Sequence, residues 1–353
     1  MGAFHSALMV ALVGFLLTGT ELLLRNHLSH SGDPLERSWL LLRPDRSWGW
    51  QQRENLETLF YDKHVKTDSN GFRSGTVSAA AAQVVVAGPS STFGWGVEDD
   101  ETYSARLQQG LKQIDASVVN VGQIGFSLPQ GLLFLRNKLE IKNIAPRYLI
   151  LAYGVNELDR NRFFFQSEQP DLEVFGPPRA ALQFRITQLA HEVLLFPWLI
   201  REAFKLFGTS LCSSGLAQRL TVRVPLADFI KSLDEAESLA RTYKLKLIYL
   251  TTVARFAEAP AQRPVLDPCA SLRVAEETRI ASSILEYNAS VSRWGAQNDV
   301  PVLELANVVS AGPDSADFID PFHFSALGHA KIGKALAAFI LKMERQNGPK
   351  KSN

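Results

Sequence analysis

The sequence predicts an α/β fold built on a parallel sheet of five strands. Two observations predict it: short runs of Val, Ile and Leu without clean polar alternation, and helical patterns of about 10 to 20 residues between them. Strands buried on both faces of a parallel sheet have this composition, and repeated strand–helix units favour right-handed crossovers. The runs are Gln83–Ala87, Ser117–Val121, Tyr148–Tyr153, Leu245–Val253 and Val300–Leu305.

The N-terminal segment, residues 1–28, differs from the rest of the chain, and we predict an uncleaved signal anchor there, a transmembrane helix. Lys and Arg are absent from Ala3 to Leu24, and this stretch is nearly long enough to span the apolar core of a bilayer. A cleaved signal peptide and a buried amphipathic helix are the alternatives, but neither a basic n-region nor a small-residue cleavage site is evident. An anchor predicts a membrane-bound protein whose main domain is extracytoplasmic, in the periplasm or at the cell surface.

Residues 29–80 are rich in Arg, Asp, Trp and turn formers and show no sustained period of 2 or 3.6. We therefore predict an irregular lead-in, followed by the α/β domain over residues 81–346 and a polar tail over residues 347–353. Ser325 is a good N-cap residue for the last helix of that domain. The predicted helices are Thr102–Ile114, Pro129–Leu139, Leu226–Tyr243, Arg273–Gln297 and Ala326–Met343.

One connection, between the third and fourth strands, is far longer than the others. We predict a helical insertion at about residues 160–222, which includes the apolar stretch Phe184–Phe207. Charged residues interrupt that stretch and exclude an ordinary second membrane span. The insertion is either an extra helical layer over the sheet or a lid or membrane-facing surface near a site.

The charge balance argues against a nucleic-acid-binding function. The chain has 353 residues, and its 37 Lys and Arg against 36 Asp and Glu give a net charge of +1, without the basic excess of a nucleic-acid-binding protein. Cys212 and Cys269 are too few for a zinc cluster or a disulfide scaffold. They could form one bridge, which the sequence leaves open, as it does the oligomeric state.

Candidate functional residues stand directly after the predicted strands. Ser90 follows the first strand, Gly125 the second, Asn156 the third, and Asp320 and His323 the fifth. Ligands of open α/β sheets bind outside the carboxyl ends of the strands. We therefore expect these residues to converge at one edge of the sheet.

These residue types are sufficient for acyl transfer. Ser90 becomes nucleophilic when a base takes its proton, and His323 is the histidine best placed to do so. Asp320, three residues earlier, can fix the tautomer and orientation of His323. The Ser90 amide, the Gly125 amide and the Asn156 side chain can stabilise an oxyanion. The sequence thus predicts a catalytic triad and an oxyanion hole.

In the order and setting of these residues the chain resembles the SGNH hydrolases of the GDSL esterase and lipase superfamily. The four blocks are Gly88-Pro89-Ser90, Gly125, Gly154-Val155-Asn156 and Asp320-Pro321-Phe322-His323. The resemblance extends from about Val84 to Leu341. It implies a flavodoxin-like three-layer α/β/α sandwich, hydrolysis or transfer of ester-linked acyl groups, and no metal or organic cofactor.

Other segments resemble membrane-anchored bacterial members of the same superfamily. They are Asp68–Arg73, which contains Asn-Gly-Phe-Arg, together with Arg223-Val224-Pro225 and Tyr287-Asn288. We expect an ester substrate, an acylated carbohydrate or a lipid among the candidates. No nucleic-acid partner is expected, because the charge balance lacks a basic excess.

Two departures from the family pattern affect the expected site. Pro89 stands where the family has Asp, which removes a backbone donor beside the nucleophile. Glu157 replaces the usual Asp after Asn156, and Glu157 and Trp95 are candidates for lining the substrate cleft. Ser91 is an alternative nucleophile, although the family register favours Ser90.

Three functions are consistent with these residues. The first is a serine esterase that hydrolyses O-acetyl or other short-chain esters through an acyl-enzyme. The second is an O-acyltransferase that uses the same tetrad on a carbohydrate acceptor, because an acyl-enzyme can be resolved by a sugar hydroxyl instead of water. The third is a catalytically silent binding scaffold, which Pro89 in the nucleophile turn suggests.

Overall fold

The structure, a computed structural model, describes residues 2–30, 40–74, 82–142, 146–159, 169–175, 222–255, 270–312 and 314–347. Most of the predicted insertion, including Phe184–Phe207 and Cys212, lies outside the described residues, as does Cys269. The prediction of a helical insertion and the question of a disulfide bridge are therefore untested.

The N-terminal segment forms one helix, α1 (Gly2–His30). Polar groups interrupt its apolar surface, and Glu21 pairs with Arg25 at 2.8 Å. Among the residues that the structure describes, no helix has both the length and the apolar character that a membrane span requires. The predicted transmembrane anchor is therefore not supported, and the extracytoplasmic location stays a prediction.

The centre of the fold is a parallel sheet of five strands in the order β6-β5-β7-β8-β9. This is the flavodoxin-like order, with its switch point between β5 and its two neighbours. The predicted α/β class and five-stranded sheet are confirmed. The strands are β5 (Val84–Ala87), β6 (Val118–Asn120), β7 (Tyr148–Leu151), β8 (Lys246–Leu250) and β9 (Val302–Leu303).

Helices cover both faces of the sheet and make a three-layer sandwich. Contacts join α3 to α8 on one face, and α6 to both α4 and α7 on the other. The helices after α1 are α2 (Ser90–Phe93), α3 (Tyr103–Gly110), α4 (Leu128–Lys142), α5 (Asp171–Val174), α6 (Leu226–Thr242), α7 (Ala270–Gln297) and α8 (Ala326–Asn347). Short 3-10 helices lie at Asp99–Glu101, Lys112–Ile114 and Leu305–Asn307.

The predicted irregular lead-in is wrong in one respect, because it contains two antiparallel hairpins. A two-residue loop of Tyr61 and Asp62, with φ values of 56° and 57°, joins the second pair of strands. Positive φ at both loop positions matches the twist of a hairpin. The strands are β1 (Leu42–Asp45), β2 (Gly49–Gln52), β3 (Glu57–Phe60) and β4 (Lys63–Lys66).

The hairpins share a hydrophobic core with the sheet. Trp50, Phe60 and Phe72 are fully buried and belong to the same cluster as Val85 and Leu149 of the central strands. Burial of large aromatic side chains is a major source of stability. The boundary predicted at residue 81 therefore crosses one packed unit.

Arg73 fixes the lead-in to the loop after Ser90. Its side chain is fully buried and forms an ion pair with Asp99. The guanidinium also donates to the carbonyl oxygens of Gly94 at 3.0 Å and Val97 at 2.7 Å. A planar guanidinium with five donors can bond several acceptors at once. The Arg73 side chain therefore supplies hydrogen bonds to loop carbonyl oxygens that no neighbouring strand reaches.

We predict that Arg73→Met lowers the free energy of unfolding by about 3 kcal/mol, because it leaves Asp99 and the loop carbonyls without their donor. Urea unfolding followed by circular dichroism measures the loss. Arg43→Met is the matched control: Arg43 pairs with Glu54 at 2.6 Å, but both side chains are about one-third exposed, so its loss should be under about 1 kcal/mol. Equal losses in the two variants would contradict this role of Arg73.

Candidate active site

The nucleophile turn begins where β5 ends. The Pro89 carbonyl accepts hydrogen bonds from the amides of Thr92 and Phe93, both at 3.0 Å, so α2 starts at Ser90 with Pro89 as its N-cap residue. Pro89 has a φ of −81°, close to the value that the proline ring imposes, and an N-cap residue has no intrahelical acceptor for its own N–H. Replacement of the family Asp by Pro89 therefore leaves the turn intact.

Ser90, His323 and Asp320 form a continuous hydrogen-bonded chain. Ser90 Oγ lies 2.7 Å from His323 Nε2, and His323 Nδ1 lies 2.7 Å from Asp320 Oδ2. Asp320 Oδ1 accepts from the backbone amides of Phe322 and His323, both at 2.9 Å. A carboxylate acceptor at Nδ1 places the proton there, so Nε2 is free to accept the Ser90 proton. The histidine contacts Ser90, and this pairing favours Ser90 over Ser91.

The surroundings of Asp320 keep it ionised. Burial by itself raises the pKa of this carboxyl group. The His323 ring and the two backbone donors outweigh burial and hold the pKa of Asp320 below its ordinary value. An ionised Asp320 is the form that can stabilise a positive charge on the imidazole.

Trp95 supports the imidazole from one side. Its ring is stacked on that of His323 with centroids 4.9 Å apart and an interplanar angle of 13°. Trp95 is only 5% exposed. Phe60, Tyr61 and the histidine itself cover most of the ring, and a place for Trp95 in the lining of the substrate cleft stays a prediction.

Three donors for an oxyanion are available at the same edge. The amides of Ser90 and Gly125 donate to no acceptor among the described residues. Asn156 donates one amide hydrogen to the Phe126 carbonyl at 2.9 Å, which orients the side chain and leaves its second hydrogen. The three predicted oxyanion groups thus have donors to offer.

The loop of residues 122–126, called the oxyanion loop below, is held by side chains from distant parts of the chain. Gln52 donates to the Gly122 carbonyl at 3.1 Å, and the Trp50 indole to the Ile124 carbonyl at 2.7 Å. Arg223, which forms a buried pair with Asp171, donates to the Gly125 carbonyl at 2.7 Å. Sequence reasoning noted Arg223 only as a family landmark and missed Trp50 and Gln52. No local pattern links residues so far apart.

Glu157 is buried in the protein interior and does not line a cleft. The prediction that it lines the substrate cleft is therefore wrong. Its side chain is fully buried, and Oε1 accepts from the Leu128 amide at 2.6 Å. Burial raises the pKa of Glu157 to about 7, although its backbone donors and Arg223 oppose that shift. The carboxylate therefore supports the start of α4, the helix that follows the oxyanion loop.

The described residues contain no cluster of three or more His, Cys, Asp or Glu side chains arranged to hold a metal ion. The chemistry that the site itself offers is that of a hydroxyl nucleophile, a base oriented by a carboxylate, and neutral hydrogen-bond donors.

The sequence profile of the GDSL-like lipase/acylhydrolase family matches residues 86–331. A search of curated proteins found no match.

Similar solved structures include the lipase/acylhydrolase from Enterococcus faecalis, with 17% identity, 76% of this chain and 100% of that chain covered, and a TM-score of 0.41. A GDSL-like lipase from Bacteroides thetaiotaomicron has 14% identity, coverages of 78% and 93%, and a TM-score of 0.40. An aryl esterase from M. smegmatis, solved in an inhibitor-bound form, has 17% identity, coverages of 74% and 99%, and a TM-score of 0.39.

We predict that Glu157→Gln stabilises the protein increasingly as the pH rises. The folded protein holds the Glu157 proton up to about pH 7, whereas the ordinary value is 4.5. The wild-type protein therefore loses stability between these two pH values, by up to ~3 kcal/mol, and neutral Gln does not. Urea unfolding at several pH values measures the difference between the two proteins.

Glu235→Gln on α6 is the control, because Glu235 is exposed and its substitution removes a carboxyl group that is not buried. A Glu157→Gln curve parallel to the wild-type curve from pH 4.5 to 7 would show that the buried carboxyl group does not carry the effect.

Proposed function

Because the chain belongs to the GDSL-like lipase/acylhydrolase family, we propose that it hydrolyses esters through an acyl-enzyme formed on Ser90. Ester hydrolysis itself follows from membership of the family. The observation that carries the assignment of the nucleophile is the 2.7 Å contact between Ser90 Oγ and His323 Nε2. Asp320 on the opposite ring nitrogen completes the arrangement that activates a serine.

In the first half of the proposed reaction, the Ser90 proton moves to His323 Nε2 as Oγ attacks the ester carbonyl carbon. The carbonyl oxygen becomes an oxyanion that accepts hydrogen bonds from the Ser90 and Gly125 amides and from Asn156. The C–O bond to the alcohol then breaks, and His323 returns its proton to the leaving oxygen. The acyl group is left on Ser90.

In the second half, water gives a proton to His323 and attacks the same carbonyl carbon. The second tetrahedral intermediate uses the same donors and breaks its bond to Ser90 Oγ, which takes its proton back from His323 Nε2. The products are a carboxylic acid and free enzyme. No group beyond the named residues and water is needed to balance these steps.

Short-chain esters, O-acetyl esters first among them, are the substrates we propose. The support is that the turn that carries Ser90 is closely packed. Thr92 and Phe93 are fully buried, and Trp95 is almost covered. An acyl group with few carbons needs the least space beside Ser90.

The test of the nucleophile is the intact mass of the full chain after exposure to a fluorophosphonate. We predict one adduct on Ser90, and Ser90→Ala should take up none while its turnover of an aryl acetate falls at least about a thousandfold. Ser91→Ala is the matched control and should label and turn over like the wild-type protein. Loss of the adduct in Ser91→Ala with retention in Ser90→Ala would assign the chemistry to the other serine.

We predict that Asp320→Asn lowers kcat by roughly 10³- to 10⁴-fold. Asp320 Oδ1 already accepts from two backbone amides, so the new NH2 group takes the place of Oδ2 and faces His323 Nδ1. The ring must then carry its proton on Nε2, where it cannot accept the Ser90 proton. Steady-state kinetics on an aryl acetate measures the loss, and a wild-type kcat would mean that another acid orients His323.

A further inference from the structure

We propose that Trp50 is a positioning residue, which orients the Gly125 amide toward the oxyanion. The inference rests on the proposed function, because it needs an oxyanion to stabilise. Trp50 belongs to β2 of the first hairpin, is fully buried, and donates its indole N–H to the Ile124 carbonyl at 2.7 Å. It does not touch Ser90, His323 or Asp320 in any described contact, so its effect on the reaction passes through the oxyanion loop.

The conformation of the oxyanion loop makes such help necessary. The Phe126 amide donates to the Gln123 carbonyl at 3.2 Å, so Ile124 and Gly125 are the central residues of a four-residue turn. Gly125 has a φ of 75°, which type II turns require at their third position. Type I and type II turns differ by a rotation of the central peptide of about 180°. Glycine at the third position tolerates both orientations.

The Trp50 hydrogen bond selects one of these orientations. The central peptide joins Ile124 to Gly125 and is trans, so its C=O and N–H point in opposite directions. Holding the Ile124 oxygen in the protein interior therefore turns the Gly125 N–H the other way. That N–H donates to no acceptor among the described residues, as expected of a group kept for the oxyanion.

The other peptide at Gly125 is also held. Arg223 donates to the Gly125 carbonyl at 2.7 Å, and its guanidinium lies 5.5 Å from the centre of the Trp50 ring. The two peptide planes on either side of the Gly125 Cα are thus fixed by two neighbouring side chains. Trp50 is the better residue to test, because removal of Arg223 would leave the buried Asp171 without its ion-pair partner.

The test is Trp50→Phe in the full chain, which keeps an aromatic ring against Phe126 and removes the indole donor together with part of the buried ring. The loss of ring volume is shared by the control variant below. Oxyanion donors act on the transition state more than on bound substrate. We therefore expect kcat for an aryl acetate to fall about 10- to 100-fold, which is less than the fall in kcat when an oxyanion donor is removed completely. We expect KM to change less than about twofold. A role in packing alone would not give this split between kcat and KM.

Trp48→Phe is the matched control. Trp48 precedes the same strand and is also buried, but its indole nitrogen has no acceptor among the described residues. Its kcat should equal that of the wild-type protein. An active wild-type protein with equal kcat for Trp50→Phe and Trp48→Phe would overturn the role of Trp50 alone, whereas an inactive wild-type protein would overturn the proposed function as well.

A second readout uses the wild-type protein and does not depend on the folding of Trp50→Phe. In a sample labelled with ¹⁵N-tryptophan, phosphonylation of Ser90 with loss of fluoride places the partly negative phosphoryl oxygen beside the Gly125 amide and polarises the central peptide. We expect the Trp50 indole signal, assigned through Trp→Phe variants at the other tryptophan positions, to move more than that of Trp48. A Trp50 shift no larger than the Trp48 shift would overturn the proposal.

Discussion

Backbone carbonyl groups in the two loops of the site lie beyond the ends of the strands, and several of the buried ones take their donor from a side chain. Arg73 supplies donors to the loop after Ser90. Trp50 and Arg223 supply them to the oxyanion loop. A buried carbonyl left without its donor costs about 1–3 kcal/mol, so the shape of both loops depends on these three side chains.

The origin of these donors explains why the lead-in is part of the folded unit. Trp50 and Arg73 come from segments that precede the first strand of the sheet, and Arg223 comes from the residues just before α6. A sheet and its helices alone would leave the oxyanion loop without the Trp50 bond to Ile124. The hairpins therefore contribute to the geometry of the site as well as to the hydrophobic core that they share with β5 and β7.

The sheet and the main site residues could be predicted from the sequence, whereas the support of the site could not. The composition of a short run such as Tyr148–Leu151 is enough to predict a buried strand. The carboxyl ends of the strands then predict where functional residues converge. The second hairpin has strands of only four residues and a Tyr-Asp loop, which gives neither a period nor an Asn-Gly signal. The Trp50–Ile124 bond joins residues 74 positions apart, and no periodicity reports such a pairing.

Two consecutive residues after β7 show how closely support and chemistry are joined. Asn156 donates to the Phe126 carbonyl, and Glu157 accepts from the Leu128 amide, so this strand end holds the chain on both sides of Ser127, the residue that follows the turn. A carboxylate near the start of α4 is favourable for the helix dipole, but complete burial opposes its charge and raises the pKa of Glu157 to about 7. Because Glu157 binds the Leu128 amide, Asn156 needs only one of its two amide hydrogens to hold the backbone. The other remains for the proposed oxyanion. The buried carboxyl group thus belongs to the residue beside Asn156, and Asn156 itself is an uncharged donor whose side chain the Phe126 carbonyl orients.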